Sequence, residues 1–151
     1  MEKAFEKNPT CAAMAGIKSI YYADCENVTI CLPVNGGISV DLSAGHSWSL
    51  IEADGATANA NYEEPLAWRH QVQLTYHGNQ NEVEADFTEM TGRRFLVKVV
   101  DNNDTEWLYG QTCSPLRFTF SSENDGQADG QTAYTLSFEA LCPNPARIIK
   151  N

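Results

Sequence analysis

Residues 94–110 read RFLVKVVDNNDTEWLYG, from Arg94 to Gly110. The pattern predicts a β-hairpin. Phe95, Val97 and Val99 fall on one face of the first arm, and Leu96, Lys98 and Val100 on the other. Asp101, Asn102, Asn103 and Asp104 make the turn, because Asn and Asp tolerate left-handed backbone angles and bond to nearby main chain. The return arm places Thr105, Trp107 and Tyr109 on one face and Glu106 and Leu108 on the other.

Alternation continues on both sides of this hairpin. Leu116-Phe118-Phe120 and Tyr134-Leu136-Phe138-Ala140 read as two further strands. Upstream, Ile17–Ala23 and Val28–Val34 are rich in Ile, Val, Tyr and Thr and form two strands separated by Asp24-Cys25-Glu26-Asn27. Asn35-Gly36-Gly37 is a turn, and Ile38, Val40 and Leu42 face inward after it. A short strand is expected over His46–Glu52, with Trp48 and Leu50 on one face. Asp54–Pro65 reads as a long loop, with a strand as an option near Thr57–Tyr62. Trp68, His70, Val72, Leu74 and Tyr76 alternate with polar residues as a strong strand ending at His77-Gly78-Asn79.

The period then changes. Val83, Phe87 and Met90 sit at helical spacing over Asn81–Thr91, with Asn79 or Asn81 as N-cap and Gly92 as C-cap. The fold class that follows is mainly β, an antiparallel sandwich or barrel with one inserted α-helix. Residues 1–16 form an N-terminal arm, 17–142 a single domain and 143–151 a C-terminal tail. Ser121–Gln131 is a polar, Gly-rich hairpin loop.

The chain has 151 residues and a formal net charge of −10. That length suffices for one domain burying roughly 70% of its unfolded surface. The acidic balance argues against a conventional nucleic-acid-binding surface, which needs Lys and Arg to neutralise phosphate. It suits a surface past which DNA slides without adhering. Five cysteines at irregular spacing include no CxxC pair. They read as reduced thiols, with a Cys25–Cys31 disulfide as the alternative. No apolar run reaches membrane-spanning length, and Met1–Ala15 lacks the continuous apolar core of a secretory signal.

Candidate chemistry is sparse, and the reading is of a protein without catalytic activity, cofactor or metal. Asp101, Asn103 and Thr105 mimic the start of a calcium loop but lack its glycine and closing glutamate. Glu63 and Glu64 are adjacent, so a strand points them apart, and solvation is the simpler role. His46, His70 and His77 form a metal site only if the fold converges them. His70 lies on an apolar face, which favours a satisfied, half-buried histidine. Cys113 has no flanking motif of a nucleophile. Trp48, Trp68, Trp107, Tyr21, Tyr22, Tyr62 and Tyr109 are either a sugar-stacking platform or sheet core. Pro145, Arg147, Ile148 and Ile149 in the tail, together with Met14 in the arm, are the candidate subunit-interface residues, since apolar termini need a partner or a docking groove.

DNNDTEWLYG (101–110), PLRFTFSSENDG (115–126), the closing strand and CPNPA (142–146) together resemble small tail-associated proteins of phage and prophage structural gene clusters. Several strands with one inserted helix also resemble phage tail tube subunits and their contractile-system relatives. The resemblance covers about the C-terminal half. It implies a virion protein assembled in the host bacterial cytoplasm. It implies rings, hexameric as one option, that stack through loops and terminal arms and contact other tail or neck proteins. DNA is then met only in passage, and no membrane is involved. The alternative is a β-sandwich module that binds carbohydrate or a cell-surface ligand.

Overall fold

The computed structural model describes residues 16–53, 55–63, 66–123 and 131–150. Their strands run β1 (Ile17–Asp24), β2 (Val28–Val34), β3 (Gly37–Leu42), β4 (Ser49–Ile51), β5 (Gly55–Glu63) and β6 (Ala67–Asn79). One α-helix, α1 (Gln80–Met90), leads to β7 (Arg94–Asp101), β8 (Glu106–Tyr109), β9 (Leu116–Glu123), β10 (Gln131–Cys142) and β11 (Arg147–Ile148). The expected mainly antiparallel β fold with one inserted helix is what forms.

The hairpin that begins at Arg94 is the hub of the sheet. β7 pairs along one edge with β1, from Ile17↔Asp101 to Asp24↔Phe95. Along the other edge two strands share it. Val97 and Val99 face Tyr109 and Trp107 of β8, whereas Arg94 and Phe95 face Arg117 and Leu116 of β9. β8 and β9 are thus two halves of one return arm, interrupted by residues 110–115. Gly110 begins the interruption at φ +85°, where a Cβ would stand 2.9 Å from Leu116 Cγ. Only glycine fits there without strain.

This interruption lets the nine-stranded sheet bend into two leaves. One leaf is β4-β1-β7-β8-β11 and the other is β9-β10-β6-β5. Alternation fills the space between them. Ile20, Val72, Leu74, Phe95, Val97, Val99, Leu116, Phe118, Tyr134, Leu136 and Phe138 are buried in one core. Its centre is aromatic: Phe118 and Phe138 lie 5.1 Å apart between ring centroids, and Phe95 meets Phe138 edge-on at 5.9 Å. Edge-to-face contacts of this kind add to the stabilisation from burial.

Helix α1 closes the space between the leaves. Val83, Phe87 and Met90 face the core, as their spacing requires. Phe87 reaches Tyr76, Phe118, Phe120 and Tyr134, with centroid distances of 5.3 to 5.9 Å. Gly92 does not adopt a left-handed cap. The helix unwinds instead through short turns, Gly92 N–H to Glu89 C=O at 3.3 Å and Arg93 N–H to Met90 C=O at 3.0 Å. The side chains of Asn79 and Asn81, the expected N-caps, lie outside the described ones.

A second, smaller core lies on the opposite face of β7 and β8. Leu96 and Leu108 meet Ile38 and Val40 of the β2–β3 hairpin, with Val28, Cys31, Trp48 and Ile149 around them. The two faces of the central hairpin therefore enter two different cores.

Two expectations need correction. Residues 54–65 are not mainly loop, because β5 runs unbroken from Gly55 to Glu63 against β6. Ala56, Ala58 and Ala60 pack on the core, but alanine contributes too little hydrophobic contrast for the alternation to be visible. The strand after Gly45 is only Ser49–Ile51, and Trp48 lies outside it. Strand β6 ends at Asn79, as expected, and passes directly into α1.

Candidate functional site

His70 is fully placed by the fold. It is 1% exposed. Its Nε2 lies 2.7 Å from the Asn144 carbonyl, and Nδ1 accepts the Gly110 N–H at 2.9 Å. These partners fix the neutral imidazole with its proton on Nε2. Burial lowers its pKa from the ordinary 6.5, because the charged form loses its hydration. Both nitrogens are occupied, so His70 serves neither a metal nor Cys113. The Cys113 thiol points to Gln111 Oε1 at 3.6 Å. Buried Cys142 donates to Ser114 C=O at 3.4 Å, and burial pushes its thiol up to about 11. Cys25, Cys31, Cys113 and Cys142 are free. Among the described residues, no group of His, Cys, Asp and Glu is arranged to hold a metal ion.

The 101–104 turn is held by Asp101. Its Oδ1 accepts from the Asn103 and Thr105 amides at 2.9 and 3.0 Å, and its Oδ2 accepts from the Trp107 indole at 3.2 Å. Burial opposes the charge, yet these three donors keep the carboxyl below its ordinary pKa. Asp104 takes the left-handed angle, φ 60°. The oxygens that mimic a calcium loop are thus part of a self-contained hairpin turn.

Glu63 is paired rather than simply solvated. Arg69 on β6 donates Nε to its Oε1 at 2.6 Å and Nη2 to its Oε2 at 3.2 Å. The same guanidinium also donates to Glu139 on β10. Glu64 lies outside the described residues.

The aromatic residues do not share one platform. Tyr22, Trp107 and Tyr109 belong to the main core. Tyr21 and Trp48 flank the Lys98 ammonium at 4.7 and 5.2 Å, on the other face of the same leaf. Tyr62 and Trp68 meet edge-on at 5.5 Å across β5 and β6.

The surface features with the chemistry to bind are the edges of the two leaves. β5 is nine residues long and pairs only with β6 among the described residues. Among the described residues no strand pairs with its outer edge from Gly55 to Glu63, and the stretch contains no Pro, no Lys and no bulge. These are the devices by which sheet proteins protect an edge. At the opposite end, β4 has three residues and leaves Leu50 half exposed. Nothing in Gly55–Tyr62 is charged, in a chain whose net charge is −10.

The tail is docked on its own chain. Arg147 and Ile148 pair with Leu108 and Trp107 of β8. Ile149 N–H bonds Glu106 C=O at 2.8 Å, and Lys150 N–H bonds Ile38 C=O at 2.8 Å. Ile149 packs on the second core. The groove that apolar tail residues require is therefore present within the chain, while Pro145, Arg147 and Ile148 keep partial exposure. Met14 lies outside the described residues. The open β5 edge is the feature sequence reasoning missed, because small residues and asparagines disguised it as loop. Compared with family models, with curated proteins and with solved structures, the chain finds no match.

Proposed function

We propose that the chain is a virion structural protein of a tailed bacteriophage. It is a tail tube or tube-like subunit that assembles with copies of itself into rings around a DNA passage. The observation that carries this reading is the open edge of β5. Its nine residues offer backbone donors and acceptors to another strand, with small side chains that allow close approach. Another end of the sheet, β4, differs from it in sequence and length. Joining β5 of one copy to β4 of the next is a head-to-tail contact, and such contacts close into rings when the rotation between copies divides a full turn.

Charge supports the same reading. An acidic lumen repels phosphate and lets DNA move without adhesion. The exposed parts of Pro145, Arg147 and Ile148, with Ile149 beneath them and Met14 in the arm, add contacts between copies or to other tail and neck proteins. Assembly takes place in the host cytoplasm and the product resides in the virion.

The test is size-exclusion light scattering with negative-stain imaging of the purified chain. Rings or short tubes are expected for the wild type. The double variant Thr57→Lys, Asn59→Lys puts charge on the exposed side of β5 and is expected to stay monomeric with unchanged unfolding temperature. A wild type that remains a monomer at high concentration, and occurs as single copies in any particle, would sink the reading. A monomer retained on a glycan array would put a carbohydrate-binding module in its place.

A further inference from the structure

The leaf β9-β10-β6-β5 turns one face to the core, and its pairing register determines what stands on the other. Gly55 lies opposite Thr75, Thr75 opposite Thr135, and Thr135 opposite Ser121. One pleat along, Thr57 lies opposite Gln73, Gln73 opposite Ser137, and Ser137 opposite Thr119. Paired residues share a face. These alternate with Leu74, Phe118, Leu136 and Phe138 of the main core, so both rows point outward. They cross four strands, a width of about 14 Å. The next row, Asn59, Gln71, Glu139 and Arg117, brings in the first charges on that side.

A hollow of about 390 Å³ opens in this face, and its outward positions are Gly55, Thr57, Gln73, Thr75 and Thr135. Gly55 accounts for the depression. It has no side chain, and a Cβ there would meet nothing within 4 Å. The volume lies within the range of small-molecule sites. The side chains of Thr57, Gln73, Thr75 and Thr135 make no hydrogen bond to another described residue. Each threonine hydroxyl can donate and accept, and the Gln73 amide offers two donors and an acceptor.

This chemistry selects a class of ligand. In a chain of net charge −10, both rows are uncharged. A phosphate or carboxylate would find no cation there, and an ammonium no carboxylate. The rows hold no aromatic or large aliphatic side chain, so an apolar ligand, or the apolar centre of a protein interface, has nothing to pack on. A neutral molecule crowded with groups that both donate and accept fits. Sugar hydroxyls are such groups, and the threonine hydroxyls and the Gln73 amide answer them in kind.

We infer that this hollow is a binding site for a neutral saccharide, with further sugar units lying along the rows toward Ser137 and Thr119. Tyr62 and Trp68 take no part, because they stand on the other face of the β5–β6 hairpin. The site lies on the face of β5 and not along its edge, so the inference does not rest on ring assembly. Without aromatic stacking, the contacts are hydrogen bonds that replace bonds to water. The dissociation constant is accordingly about 1 mM.

Saturation-transfer difference NMR tests it on the full chain, since the signal is read on the sugar and tolerates any assembly state. The probes are maltohexaose, cellohexaose and mannohexaose, with hexagalacturonate as the charged control. Transfer is expected to at least one neutral probe and not to the control. Gly55→Val fills the hollow without a clash, and Gln73→Ala removes its amide. Each should weaken binding at least about fivefold, with the circular dichroism spectrum and unfolding temperature unchanged. Tyr62→Ala should bind as the wild type does. No transfer to any neutral probe, equal transfer to hexagalacturonate, or undiminished binding by both hollow variants overturns the inference. Binding lost in Tyr62→Ala but kept in Gly55→Val would assign the sugar to the aromatic pair and overturn it as well.

Discussion

Replacing His70 by leucine removes two hydrogen bonds and leaves their partners behind. The Gly110 amide is buried and the Asn144 carbonyl half-buried. A stranded buried polar group costs about 1–3 kcal/mol. Taking Gly110 near the middle of that range and Asn144 near its lower end, the variant loses about 3 kcal/mol. Of the roughly 5–15 kcal/mol typical of a domain, that is a large share. At about 2–4 °C per kcal/mol for a chain of this size, the unfolding temperature falls by about 6–12 °C. Thermal and urea unfolding at about pH 7.5 measure it. A pH series then separates this histidine from the carboxylates. The folded chain holds His70 below 6.5, so its stabilising contribution is complete above that value. As pH falls through the folded pKa, the unfolded chain has already taken up a proton that the folded chain resists, and stability declines. Wild type minus His70→Leu should therefore narrow between about pH 7 and pH 5. A loss under about 1 kcal/mol, or two pH profiles that stay parallel, refutes the reasoning from stranded donors and acceptors.

Two further perturbations follow from the geometry. Asp101→Ala removes the acceptor of the Asn103 and Thr105 amides and of the Trp107 indole. It should cost about 2 kcal/mol in urea unfolding, and an unchanged midpoint would count against Asp101 as the organiser of the turn. Gly37→Ala would place a Cβ 2.2 Å from the Ile148 carbonyl. The backbone there cannot yield without moving the tail, so amide exchange at Ile149 and Lys150 should accelerate while that of β10 stays slow.

Strong alternation made most of the fold legible. Phe95, Val97 and Val99 against Leu96 gave the two faces of β7, and Val83, Phe87 and Met90 gave the buried face of α1. His70 was legible as a satisfied histidine from its place among Trp68, Val72 and Leu74, although its partners were not. Gly110 and Asn144 are distant in sequence, and only the bend between the leaves brings them to one imidazole. β5 is hidden for a different reason. Its inward residues are alanines and its outward ones Thr and Asn, so its strand character comes from β6 alongside it rather than from its own side chains. Glu63 reads as solvated in sequence because its partner Arg69 lies across the β5–β6 hairpin, and pairing of that kind follows register, not adjacency.

The docking of Arg147–Lys150 between β8 and β3 bears on the order of events during biosynthesis. Ile38 emerges from the ribosome early, yet its carbonyl receives the amide of Lys150, which is made only after every strand of the sheet. The β2–β3 hairpin can therefore form while translation proceeds, but its fastening to the central hairpin waits until Lys150 has cleared the exit tunnel. A product that stalls before Arg147 would carry the second core unlatched, with Ile38, Val40 and Leu108 offered to chaperones.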